Sequence, residues 1–212
     1  MTAPVAPKVA VIYYSQTGTI HTLAQEYVDG AEKAGAEVRL RRVAELAPQS
    51  AIDGNESWKK HLQDTADIPE ATADDILWAD AVIFGTPTRY GNVSSQLKNY
   101  IDALGPQWAQ GQLQDKVYSG FTSSSTAHGG QESTLLALYN TIHHFGGFIV
   151  SPGYTDPIQF QVGNPYGASH VDGGGSSPVS DEVRQSARYA GQRVTAVTAQ
   201  LVAGRDALLA AS

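Results

Sequence analysis

No cysteine occurs in the 212 residues, which removes disulfides, iron–sulfur clusters, thiol nucleophiles and thiolate zinc sites from consideration. Positive charge is scarce: 14 lysines and arginines stand against 21 acids, a formal net charge of −7. A diffuse acidic surface repels phosphate backbones and anionic headgroups, so neither a nucleic-acid partner nor membrane insertion is expected. Long apolar runs are missing, and none approaches the length of a bilayer span. The opening "MTAPVAPKVA" lacks a basic start, an apolar stretch and a cleavage site, so no signal peptide is expected and the default location is cytoplasmic.

What is present suits one core. Hydrophobic residues make up 42% of the chain, and no internal repeat or linker divides it, so a single domain over 1–212 is expected. "KVAVIYY" (8–14) is a short apolar, β-branched run that suits a strand buried on both faces, "AVIFGTP" (81–87) reads as another, and "DKVYSGFTSS" (115–124) and "GFIVSP" (147–152) read as the fourth and fifth strands. "AEVRLRRV" (36–43) alternates apolar and basic residues, as a strand nearer a sheet edge does. Between them lie helical spacings. Ile20, Leu23, Ala24, Tyr27, Val28 and Ala31 share one face, and Leu97, Tyr100, Ile101 and Leu104 share another. "GGQESTLLALYNTIHHFG" reads as a helix closed by Gly146, and a final helix starts after Pro178–Ser180. Residues 44–79 hold helical pieces around "ESWKKHLQD" and "TADDILWAD" and are too long for a mere connection, which suggests an interface role. The stretch "DPIQFQVGNPYGASHVDGGGSSPVSDE", rich in glycine, proline and serine, reads as one long loop.

Five strands separated by helices imply a parallel sheet covered on both faces, with ligands beyond the carboxyl ends of the strands. Three polar loops fall at such ends. "SQTGTI" (15–20) follows the first strand and opens a helix, whose N–H groups and dipole attract an anion. Ser15, Thr17 and Thr19 add hydroxyls, Gly18 permits close backbone approach, and the turn carries no cation. An ordinary capped helix start explains this turn equally well. "GTPTRYGN" ends the next strand with Pro87, Thr88, Arg89, Tyr90, Gly91 and Asn92, and "FTSSSTAHGG" forms the third loop. Together the three suggest a phosphate pocket beside a slot for a planar, amide-bearing ring, the shape and polarity of flavin mononucleotide (FMN). Neither GxGxxG nor a P-loop, HExxH or GxSxG occurs. Adjacent His143 and His144 point about 100° apart on a helix and do not share a metal easily, so no metal site is expected.

The motifs "YYSQTGTIHTLA", "FGTPTRYGN", "WAQG", "HGGQE", "GNPYGASH" and "ARYAGQRV" resemble the WrbA-type NAD(P)H:quinone oxidoreductases of the flavodoxin-like superfamily, from about Lys8 to about Leu201. The resemblance implies a three-layer α/β fold with a five-stranded parallel sheet in the order 2-1-3-4-5, FMN as cofactor, NADH or NADPH as hydride donor, and a homotetramer built as a dimer of dimers. It implies that Ser15, Gln16, Thr17, Gly18, Thr19 and Ile20 hold the FMN phosphate, and that the 87–92 loop meets the isoalloxazine and ribityl region. Ser123, Ser124, Ser125, Thr126, Ala127, His128 and Gly129 would meet the ring's polar edge. Thr17 matches a position tied to the nicotinamide nucleotide and Trp108 an aromatic that covers the quinone. His144 matches a histidine entering the flavin pocket from a neighbouring subunit, with a catalytic role in assisting the quinone or flavin edge. Relatives often carry an aromatic at the position of Thr17 and a histidine at that of Thr19. The implied reaction is ping-pong, two-electron reduction of quinones to hydroquinones. The alternatives are a flavodoxin-type one-electron carrier and a non-catalytic partner protein.

Overall fold

The computed structural model describes residues 6–211, so the reading of the N-terminal segment as leaderless and the outermost positions of the 1–212 domain lie outside it. The elements run β1 (Lys8–Tyr13), α1 (Thr19–Lys33), β2 (Glu37–Arg42), α2 (Gln49–Asp53), α3 (Glu56–Asp64), α4 (Ala73–Trp78), β3 (Ala81–Pro87), α5 (Ser95–Asp102), α6 (Gly105–Ala109) and β4 (Val117–Ser124). They continue with α7 (Gln131–Phe145), β5 (Phe148–Ile149), α8 (Gln159–Val162), β6 (Ser169–Val171) and α9 (Asp181–Ala211).

The sheet is parallel throughout and ordered β2-β1-β3-β4-β5, with β6 also paired to β4. Helices cover both faces of β1, β3 and β4, and every residue of the three strands except Lys8 is buried. Val9, Val11, Ile83 and Phe121 pack against α1 and α9, whereas Ile12, Phe84 and Tyr118 pack against α4, α5 and α7. β2 lies at the edge, and none of its residues is fully buried. α1 and α9 approach so closely that a methyl group on Gly30 would collide with the Arg188 carbonyl, and one on Gly191 with that of Tyr27.

Two expectations need correction. The far edge of the sheet is not one strand over 147–152. β5 spans two residues beside Val117 and Tyr118, the chain leaves after Val150, and β6 resumes the edge beside Thr122–Ser124. The stretch read as an unbroken loop therefore contains α8 and a strand. β4 supplies the unpaired edge that draws "SHV" into a ladder, a long-range effect that outweighs local composition. Within the 44–79 segment Ile52, Trp58, His61, Thr65, Asp75 and Ile76 are buried, a packing compatible with the expected interface role of its exposed residues.

Candidate functional site

β1 ends under the phosphate-type turn. Ser15 is buried, and its Oγ accepts the Gly18 N–H at 3.1 Å, which turns the chain into α1. Gly18 takes φ +107°, a left-handed value that suits glycine. No side chain caps α1, so the N–H groups of Thr19, Ile20 and His21 have no partner among the described residues. A helix start that is open and flanked by hydroxyls is a ready donor set for a phosphate monoester.

The second loop is a tight hairpin. Arg89 and Asn92 exchange two backbone hydrogen bonds, of 2.8 and 3.0 Å, across Tyr90 and Gly91, both of which have positive φ. This forces the Tyr90 side chain outward, where it is fully exposed at the hairpin tip. Thr88 pins the hairpin to the first turn of α7: its Oγ1 accepts from Gly91 N–H at 3.1 Å and from Thr134 Oγ1 at 2.7 Å. Gly130 lies against this junction, where a side chain would press on Gly91 Cα.

A crevice of about 210 Å³ results, with Ser15, Gln16, Thr17, Thr19 and Ile20 on one wall and Pro87, Arg89, Ser123 and Ser125 opposite. Arg89 spans its mouth, donating from Nη2 to Gln16 Oε1 at 2.7 Å. The structure thus brings parts of all three loops together. Thr126, Ala127 and His128 turn outward and are exposed, and Ser124 faces inward, accepting from Gln131 Nε2 at 2.7 Å. Thr88, Tyr90, Gly91, Asn92 and Gly129 border the crevice without lining it, and Gly18 faces a neighbouring cavity.

Sequence reasoning missed Asn55, Asp172, Gly174 and Gly175, which close the crevice. Asp172 folds the glycine run over the turn, accepting Gly174 N–H on Oδ1 at 2.9 Å and Ser177 N–H on its carbonyl at 2.9 Å. The unusual "DGGG" was the available signal. Asn55 arrives from the start of α3, where it caps Trp58 N–H, and no local pattern announces its place in the crevice.

His144 and Trp108 stand apart. α7 starts at the crevice and runs 15 residues, so His144 lies roughly 20 Å along the helix axis from it. Trp108 Nε1 donates to the His144 carbonyl at 2.8 Å, and the two line a separate groove with Ile101, Leu104 and Phe145. Trp108 is 53% exposed. Within one chain these residues cannot touch a ligand in the crevice.

The 2-1-3-4-5 sheet, with its open helix start at the end of the first strand, defines a flavodoxin-like protein built to hold a flavin mononucleotide. The chain belongs to the NADPH-dependent FMN reductase family, whose model matches residues 7–156. It is 45% identical over 203 residues to an NAD(P)H dehydrogenase (quinone) of Deinococcus radiodurans, covering 95% of this chain and all of that one. A protein of the same name from Sinorhizobium fredii is 42% identical, with 92% and 98% covered. Among solved structures, a WrbA-like flavodoxin from Agrobacterium tumefaciens matches with a TM-score of 0.66 at 27% identity, over 92% of this chain and 99% of that one. An archaeal flavodoxin matches at 0.58 and 15% identity, over 90% and 98%, a likeness of fold alone.

Proposed function

We infer that this chain is an FMN-dependent NAD(P)H:quinone oxidoreductase acting by two-electron, ping-pong reduction of quinones. The observation that carries the site is the uncapped first turn of α1, opening into a crevice whose far wall bears Arg89. Bound there, FMN would supply the redox chemistry, hydride acceptance from NADH or NADPH and two-electron, two-proton reduction of the quinone. The chain's residues bind and orient. Residues 15–20 hold the phosphate by hydrogen bonds and the helix dipole, as no cation lies within the turn. Thr88, Arg89, Tyr90 and the Ser123–Gly129 loop flank the ring, with the Arg89 guanidinium placed to stabilise negative charge on a ring oxygen.

The distance of His144 and Trp108 from the crevice supports their serving a neighbouring subunit's flavin pocket, which requires an oligomer. We assign a homotetramer, with Trp108 covering the quinone and His144 donating to it or to the flavin edge. Among the described residues no helix is long and apolar enough to cross a membrane; a cytoplasmic location and a single flavodoxin-like domain complete the proposal.

Steady-state oxidation of NADH and NADPH by benzoquinone, on protein saturated with FMN and stripped of excess, tests the activity. Parallel double-reciprocal lines are expected. Retained FMN without turnover would favour the one-electron carrier. For the subunit roles, His144→Ala should lower quinone turnover at saturating FMN by about 10²-fold. Unchanged turnover would remove His144 from catalysis.

A further inference from the structure

Behind the phosphate turn lies a larger cavity, of about 690 Å³, between the first turn of α1, one face of α3 and the 174–179 segment. It shares Thr17, Thr19, Asn55, Gly174 and Gly175 with the crevice, so the two adjoin at the first turn of α1. The crevice alone, at about 210 Å³, does not hold both an FMN and a dinucleotide. A pyridine nucleotide whose nicotinamide reaches the flavin must place its other half elsewhere.

The chemistry of this second cavity suits that half. His61 is only 8% exposed, yet among the described residues neither ring nitrogen has a hydrogen-bond partner. It packs behind the turn, 3.7 Å from where a Cβ on Gly18 would sit, with the His21 ring centroid 5.5 Å from its own. Burial, with the nearby His21 adding to it, lowers the His61 pKa to about 4. The ring is therefore neutral near pH 7, offering one donor and one acceptor to an uncharged heterocycle. Arg184 lines the cavity and shares Glu26 with Arg188, so two guanidiniums face one carboxylate and one positive charge is left over. Lys60 is held only by an exposed pair with Asp64, one helical turn away, and is free to exchange it. Asp64 lines the cavity as well, so its walls carry two cations, Lys60 and Arg184, against one carboxylate. Hydroxyls of Thr22 and Ser57 and the apolar Pro178 and Val179 complete the wall.

We propose that this cavity receives the adenosine diphosphate half of the pyridine nucleotide, an assignment that rests on reading the crevice as the flavin site. The pyrophosphate meets the Lys60 and Arg184 side, and the adenine lies among His21, His61 and Pro178.

The test is calorimetric titration of FMN-loaded protein with ADP and with 2′-phospho-ADP. Saturable binding, competitive with NADPH, is expected. Lys60→Glu and Ser57→Trp, both at exposed positions, should each weaken it about tenfold or more while FMN stays bound. No binding, or equal affinity in both variants, overturns the assignment. The ADP half of FAD presents the same chemistry. If apoprotein retains FAD as firmly as FMN, and the FAD-loaded protein then refuses ADP, the cavity serves the flavin and the pyridine-nucleotide assignment falls. Benzoquinone turnover on the same preparation separates the two levels. Turnover without ADP binding sinks the cavity assignment alone, whereas ADP binding without turnover upholds it and sinks the oxidoreductase reading.

Discussion

Replacing His61 with glutamine should flatten the acid limb of the stability curve. The imidazole lies behind the phosphate turn, and burial, followed by the charge of His21, lowers its pKa from 6.5 to about 4. Below pH 6.5 the unfolded chain binds a proton at this position that the folded chain refuses. Stability is therefore complete above pH 6.5 and falls as pH drops toward 4, where the folded ring also titrates. At about 1.4 kcal/mol for each pH unit, a fully desolvated ring would cost roughly 3 kcal/mol across that interval. Water in the adjoining cavity screens part of this, leaving about 2 kcal/mol. His21 is shifted down by burial as well and contributes a slope of the same sign to both proteins.

The assay is urea unfolding of wild type and His61→Gln at several pH values between 4 and 7.5. The variant's midpoint should fall less steeply on acidification, so that the difference between the two proteins changes by about 2 kcal/mol between pH 6.5 and 4. Parallel curves would mean that the ring titrates normally and that its burial is not felt electrostatically. FMN provides an internal check. A phosphate anion on the open start of α1 favours a protonated imidazole behind it, so loading the flavin should shift the imidazole resonances of His61 toward higher pKa. An unchanged titration would place the phosphate elsewhere.

Three further outcomes follow from particular contacts. Gly30→Ala should destabilise the protein by about 3 kcal/mol, because the added methyl group meets the Arg188 carbonyl where α1 crosses α9; thermal melts check this, and a neutral effect would show that the helices can slide apart. Glu45 accepts from Tyr14 Oη, Trp58 Nε1, Gln96 Nε2 and the N–H groups of Leu46 and Ala47, so Glu45→Ala should cost roughly 2 kcal/mol by leaving those donors unpaired. Burial alone would raise the Glu45 pKa, but these hydrogen bonds outweigh it and hold the carboxylate below its usual range; its contribution is present above the ordinary carboxylate pKa and is lost as pH falls through the lowered one, which denaturant midpoints below pH 5 would register. Gly18→Ala, at φ +107°, should weaken FMN retention by about tenfold through backbone strain of about 1–2 kcal/mol, and intact retention by fluorescence quenching would refute the strained-turn account.

The layout of the sheet was legible because β1 and β3, buried on both faces, are nearly continuous apolar runs. The three loops were legible because a parallel sheet puts its ligands at the strands' carboxyl ends. What escaped was decided by partners distant in sequence. "SHV" has no strand signal of its own and becomes β6 because β4 outruns β5 and leaves Thr122–Ser124 unpaired on that side. Asn55 and His61 were not singled out: the sequence showed only a helical piece around "ESWKKHLQD". Trp58, His61 and Thr65, however, stand at i, i+3 and i+7, and all three are buried, so the spacing held a signal. It marks α3 as a helix packed on its own chain. That is also what gives the second cavity a wall: a minimal crossover between β2 and β3 would leave the 15–20 turn open to solvent, whereas α3 encloses a cavity beside it. On the proposed reading, the long 44–79 segment matters to ligand binding through this wall, whether or not its exposed residues also form a subunit contact.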